Sequence, residues 1–160
     1  MSRKSQITVL DLFISFGMAS LLVVFIVLGW NSYTNLLARG QREKFIELQA
    51  MQTLDLLIKS PGEPVDWEKN IASSEVFGLA MSDRNISQKK LDALSLSSYN
   101  QTSRMLGIDL VDFQLLVRHM NGTELFRYGK ALPANKPVIT LQRLAGHQNT
   151  TATVEIAMWE

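Results

Sequence analysis

The sequence predicts an α+β fold: a long N-terminal helix, apolar on all sides in its first half, packed by its second half against a small antiparallel sheet. Three observations predict it. No Asp, Glu, Lys or Arg lies between Leu12 and Ala38. Residues 41–59 combine strong helix formers with apolar residues spaced by threes and fours. The last third of the chain changes to the two-residue alternation of half-buried strands.

The leading segment, residues 1–11, carries Arg3 and Lys4 and ends at Asp11. Residues 12–30 then read LFISFGMASLLVVFIVLGW. A helix needs about 20 apolar residues to cross a bilayer, and a soluble helix of this length would show a polar side. The chain has 160 residues, too few to wrap such a helix. The expected partner is membrane lipid, with residues 12–38 as a transmembrane helix. Basic residues before the span favour a cytoplasmic N-terminus, and Trp30 and Tyr33 suit the far interface. Arg39, Arg42 and Lys44 argue the other way, diluted by Glu43 and Glu47. The expectation is a single-pass cell-membrane protein with its C-terminal domain outside. No small-x-small cleavage site follows the apolar run, so the helix is expected to stay attached.

Asp11 has two readings. It is an interfacial carboxylate favoured by the helix dipole, or it compensates a neighbouring subunit's charged N-terminus inside a helical assembly, since a carboxylate in lipid is costly unless paired.

Residues 39–60 are the expected amphipathic continuation. Ile46, Ala50, Leu54, Leu57 and Ile58 form one stripe, widened by Phe45, Leu48 and Met51. Ser60-Pro61-Gly62 ends the pattern, because proline breaks the helical ladder and disfavours helical geometry before it. One helix from about Thr8 to Lys59 would be roughly 75 Å long at about 1.5 Å per residue.

Residues 61–160 are the expected extracytoplasmic α/β domain. Trp67 is expected to cap its core. A short strand is expected around Val76 to Leu79. Short helices are expected over Gln88 to Ser95, capped by Ser87 or Asn85, and over Tyr99 to Leu106, capped by Ser98 and closed by Gly107. Strands are expected over Asp112 to Val117, Glu124 to Tyr128, Val138 to Leu144 and Thr151 to Trp159, with turns at Met120 to Thr123 and Gly146 to Asn149. The sheet would have about four antiparallel strands, its apolar face on the amphipathic half of the helix.

Composition limits the chemistry. A net charge of +1 without a basic patch gives no support for nucleic acid as a partner. The absence of cysteine removes disulfides, thiolate metal sites and cysteine nucleophiles. His119 and His147 read as surface residues, and no metal site and no cofactor are expected. Asp109 and Asp112 do not read as an acid/base pair. Asp83, Asn85 and Ser87 lack the glycine and distal glutamate of a calcium loop. No nucleophile elbow, Walker loop or dinucleotide glycine pattern is present, and the expectation is a non-enzyme.

Four Asn-x-Ser/Thr sequons begin at Asn85, Asn100, Asn121 and Asn149. Average Ser and Thr usage would give about one by chance. All lie after the apolar run, so they are candidate glycosylation sites that agree with an exported domain. Asn, Ser and Thr also coincide in turns for local reasons.

The start, Arg3-Lys4-Ser5-Gln6-Ile7-Thr8-Val9-Leu10-Asp11, followed by the hydrophobic run, resembles the class III signal peptide of archaeal type IV pilin-like proteins. Lys4 resembles the basic residue of that leader, Gln6 its glutamine, Thr8 its hydroxyl residue and Asp11 its acidic residue. Ser5 stands where glycine is usual, and Asp11 falls one place late. The segment Asp55 to Glu68 and the later Gly78-Leu79-Ala80 are also similar to proteins of that kind. The resemblance implies a pilin-like fold and cleavage between Ser5 and Gln6 by a prepilin peptidase. It implies a structural subunit that joins other pilin-like subunits in a surface filament or secretion-type assembly. The alternative is a membrane-anchored surface binding module that never polymerises.

Overall fold

The computed structural model describes the backbone of residues 3–160 and the side chains of residues 11–38 and 40–160. The chain is α+β. Helix α1 spans Arg3–Lys59, starting five residues before the expected Thr8. The chain divides into two compact units, Met1–Arg42 and Glu43–Glu160.

The first unit is helix throughout its described residues, which follows from a run with no proline. Ser20 Oγ donates to the Phe16 carbonyl at 2.8 Å, and Thr34 Oγ1 to the Trp30 carbonyl at 3.0 Å. Both hydroxyls are therefore satisfied by the helix itself.

In the second unit the α1 residues Ile46, Ala50, Leu54, Leu57 and Ile58 are buried in one core with the sheet. The stripe is narrower than its sequence: Phe45, Leu48 and Met51 lie on the solvent side. Beyond Lys59 the chain forms β1 (Gly62–Glu63), two 3-10 turns at Trp67–Lys69 and Ile71–Ser73, and β2 (Val76–Phe77), which pairs antiparallel with β1. Then come β3 (Ala80–Ser82), β4 (Asn85–Ile86), α2 (Gln88–Leu96) and α3 (Tyr99–Met105). The long strands follow: β5 (Asp112–His119), β6 (Glu124–Gly129), β7 (Ile139–His147) and β8 (Thr150–Trp159).

The main sheet has the order β3-β4-β7-β8-β5-β6. The four expected strands are its antiparallel centre and right flank. The short β3–β4 pair extends it, with β4 parallel to β7. β3 and β4, of three and two residues, carry no readable period and are absent from the sequence expectation. Ala152, Val154, Ile156 and Met158 face the core as their alternation requires, level with Phe113, Leu115 and Val117 on β5.

The C-terminal end of α1 is closed by the segment that leads into this sheet. The last carbonyls of a helix have no partner within it. Here Leu57 accepts from the Leu79 N–H at 2.8 Å and Ile58 from the Arg84 N–H at 2.9 Å. Ser60, just past the helix, accepts from the Ala80 N–H at 3.2 Å. Trp67 is fully buried, 4.6 Å from the Phe77 ring centroid, so it is core as expected. Ser98 caps α3 by accepting from the Gln101 N–H at 3.3 Å. Ser87 stands at the start of α2 but its side chain makes no capping bond.

Candidate functional site

The largest chemical anomaly is the surface of residues 11–38. Every residue there is exposed except the half-buried Thr34. Phe16 and Phe25, nine residues apart and so on opposite sides of the helix, are 72% and 69% exposed. Exposing a large apolar side chain forgoes about 1.5–3 kcal/mol of burial. A contiguous apolar surface beyond a few hundred Å² marks an interaction site. Among the described residues this is the one helix long and apolar enough to cross a membrane, with none of its apolar window buried. Asp11 lies exposed on the same helix. Lys4, Ser5 and Gln6, the residues of the expected cleavage site, lie outside the residues whose side chains are described.

The sequon asparagines do not form one cluster. Asn100 is exposed in the first turn of α3. Asn121 is exposed in the β5–β6 turn, its Oδ1 accepting from the Thr123 N–H at 3.0 Å. Asn85 is half-buried in β4, not in a turn. Asn149 is exposed in the β7–β8 turn. Asn85 and Asn149 share a groove, which also holds Asp66, Glu68 and Lys90.

Lys90 is a buried cation on α2 that the alternation of Leu91 and Leu94 did not reveal. Its Nζ donates to the Pro61 carbonyl and, at 3.2 Å, to the Ala80 carbonyl. Burial lowers its pKa from 10.5, opposed by Glu68 and Asp66. Two carbonyls and no contacting carboxylate make it a strut between α2 and the β1–β3 segment.

The histidines differ from their expected surface placement. The β7–β8 turn contains only Gln148 and Asn149, with φ of 46° and 65°, as two-residue hairpin turns require. Gly146 and His147 therefore belong to the ladder, His147 opposite Thr150. His147 follows Ala145 by two residues and so takes the core face, where it is 2% exposed. His119 follows Val117 by two and takes the same face, half-exposed at the sheet's end. The ring centroids stand 5.8 Å apart. Burial, with the neighbouring His119 adding to it, lowers the His147 pKa from 6.5. Strand parity from Val117 and Ala145 is the signal that finds this pair, once the turn is two residues long.

Tyr99 lies at the opposite end of β5. Its hydroxyl donates to Asp112 Oδ1 at 3.2 Å and accepts from the Phe113 N–H at 3.0 Å. Asp112 is also paired with Lys130 at 2.5 Å. Asp112 thus serves a structural network with Tyr99 and Lys130. Among the described residues no group of three or more His, Asp or Glu is arranged to hold a metal ion.

No known family profile, curated protein or solved structure matches this chain.

Proposed function

We propose that this chain is a non-enzymatic, membrane-anchored, pilin-like structural subunit of a surface filament or secretion-type assembly. One observation carries the reading: residues 12–38 form an uncharged helix with no buried side. Such a helix is stable only in lipid or among like helices. The second half of α1 supports the reading too, since it is the spine on which the sheet of the second unit packs. The N-terminus lies in the cytoplasm and the domain outside. This orientation draws on Arg3 and Lys4 and on the four sequons beyond the span.

In this reading the leader resembling a class III signal peptide is cut between Ser5 and Gln6 by a prepilin peptidase. Asp11 then lies among the N-termini of neighbouring subunits. Asn85, Asn100, Asn121 and Asn149 are the candidate glycan sites, with Asn100, Asn121 and Asn149 the more accessible.

The test is the intact mass and N-terminal sequence of the protein extracted from its own membranes, with cross-linking before extraction. Processing predicts a chain beginning at Gln6, and assembly predicts homotypic or pilin-type cross-links. A chain that retains residues 1–5 removes the cleavage step. A chain that never cross-links to a like subunit removes assembly and leaves a plain membrane anchor.

A further inference from the structure

We propose that His119 and His147 form a two-histidine site for an imidazole-preferring divalent transition metal of the zinc and copper class, at the end of the sheet farthest from Tyr99. The hydrogen bonds around the two rings decide which nitrogens are free. Gln88 Nε2 donates to Asp92 Oδ1 at 2.8 Å, which orients the amide. Gln88 Oε1 therefore faces His147 Nε2 at 2.8 Å, and as an acceptor it requires that nitrogen to carry the proton. His147 Nδ1 is then a bare lone pair. It is buried and makes no hydrogen bond with any described residue.

The same logic applies to His119. Thr150 Oγ1 gives its one proton to the His147 carbonyl at 2.7 Å. Toward His119 Nδ1, 3.3 Å away, it can only accept. In the neutral ring Nδ1 then carries the proton, and Nε2 is the second bare lone pair. Two imidazoles, each with its other nitrogen held by an outer acceptor, form the arrangement that fixes tautomers at metal sites. Centroids 5.8 Å apart suit a cation bound to one nitrogen of each ring through bonds of about 2.0–2.1 Å.

A buried polar nitrogen without a partner is costly, and metal binding supplies one. His147 is the fixed ligand, held from behind by the Gln88–Asp92 pair. His119 is half-exposed beside a shallow depression lined by Met120, Asn121, Thr150 and Thr151, the side from which an ion would enter. Water completes the coordination. Imidazole donors favour zinc, copper and nickel over magnesium and calcium, and the Irving–Williams order places Cu²⁺ above Zn²⁺.

The experiment uses the full chain in detergent, without a polyhistidine tag, since these are its only two histidines. Calorimetric titration with Zn²⁺ and with Cu²⁺ is expected to give one ion per chain, Cu²⁺ the tighter, and no binding of Mg²⁺. His119→Gln, at a half-exposed position, is expected to abolish stoichiometric binding while leaving the circular dichroism spectrum unchanged. Thr150→Val removes the acceptor behind His119 and is expected to weaken binding about 10- to 100-fold. Imidazole 15N correlation spectra of the metal-free protein are expected to show Nδ1–H on His119 and Nε2–H on His147. Absence of one-to-one binding, or binding that survives His119→Gln, overturns the proposal. Nδ1–H on His147 overturns it as well.

Discussion

The Trp67 indole N–H donates to the Gly78 carbonyl at 2.9 Å, and Gly78 itself stands where no side chain fits. A Cβ there would lie 2.2 Å from the Ser60 carbonyl oxygen and 2.4 Å from the Gly62 nitrogen. This close approach lets the next residues reach the last carbonyls of α1. Gly78→Ala must push the two backbones apart. The expected loss is about 3 kcal/mol, the upper end for overpacking, read from the urea midpoint of the second unit's unfolding. An unchanged midpoint would show that the segments are not in contact.

Trp67→Phe keeps most of the ring area but removes the donor. The buried Gly78 carbonyl then loses that partner, at an expected cost of about 1–3 kcal/mol. A Trp67→Phe protein as stable as the parent would mean that the indole nitrogen reaches water.

The two sides of α1 in the second unit make opposite predictions for the same substitution. Leu54 is fully buried, and Leu54→Ala is expected to cost about 2–5 kcal/mol. Leu48 is 54% exposed, and Leu48→Ala is expected to stay within about 0.5 kcal/mol of the parent. Equal losses at both positions would refute the orientation of the helix against the sheet.

Tyr99 is expected to ionise late. Loss of water around its hydroxyl raises its pKa from 10.0 to about 12, and the Asp112 charge adds to this, while the Phe113 N–H works against it. The folded state therefore retains a proton that the unfolded chain releases near pH 10. The stability this contributes is complete below pH 10 and is lost as pH rises toward 12. Ultraviolet titration of the folded protein, compared with Tyr99→Phe, is expected to show one phenol absent from the late phase of the variant. Titration of that phenol near pH 10 would contradict its buried setting.

Residues 43–160 alone are expected to fold and remain monomeric in buffer, because that unit holds its own core, while the full chain needs detergent. Sedimentation of both proteins with and without detergent provides the check. A full chain that sediments as a folded monomer without detergent would remove the membrane reading and the assembly reading together.

The parts of the fold that were legible in advance share a long, uniform signal. The stripe from Ile46 to Ile58 repeats over several turns, and β8 alternates from Thr151 to Met158, so each declared its buried face. Phe45, Leu48 and Met51 were assigned to that face because they are apolar, but only a limited arc of the helix meets the sheet. The β3–β4 pair was missed because residues 80–82 and 85–86 are too few to show a period. His147 was placed in a turn because Gly146 and His147 lie among turn-forming residues. The positive φ angles of Gln148 and Asn149 confine the turn to those two, and strand parity then turns the imidazole inward.

By itself the sequence determined the apolar helix, the point where it ends and the places of the long strands along the chain. Those features follow from local composition and repeat, which neighbouring residues decide among themselves. Only the tertiary structure decided that Gly78 lies against the end of α1, that Lys90 is buried, and that His119 and His147 face each other. Each of those depends on segments remote in sequence coming within a few ångströms, and no local pattern records which distant backbone or side chain will be there.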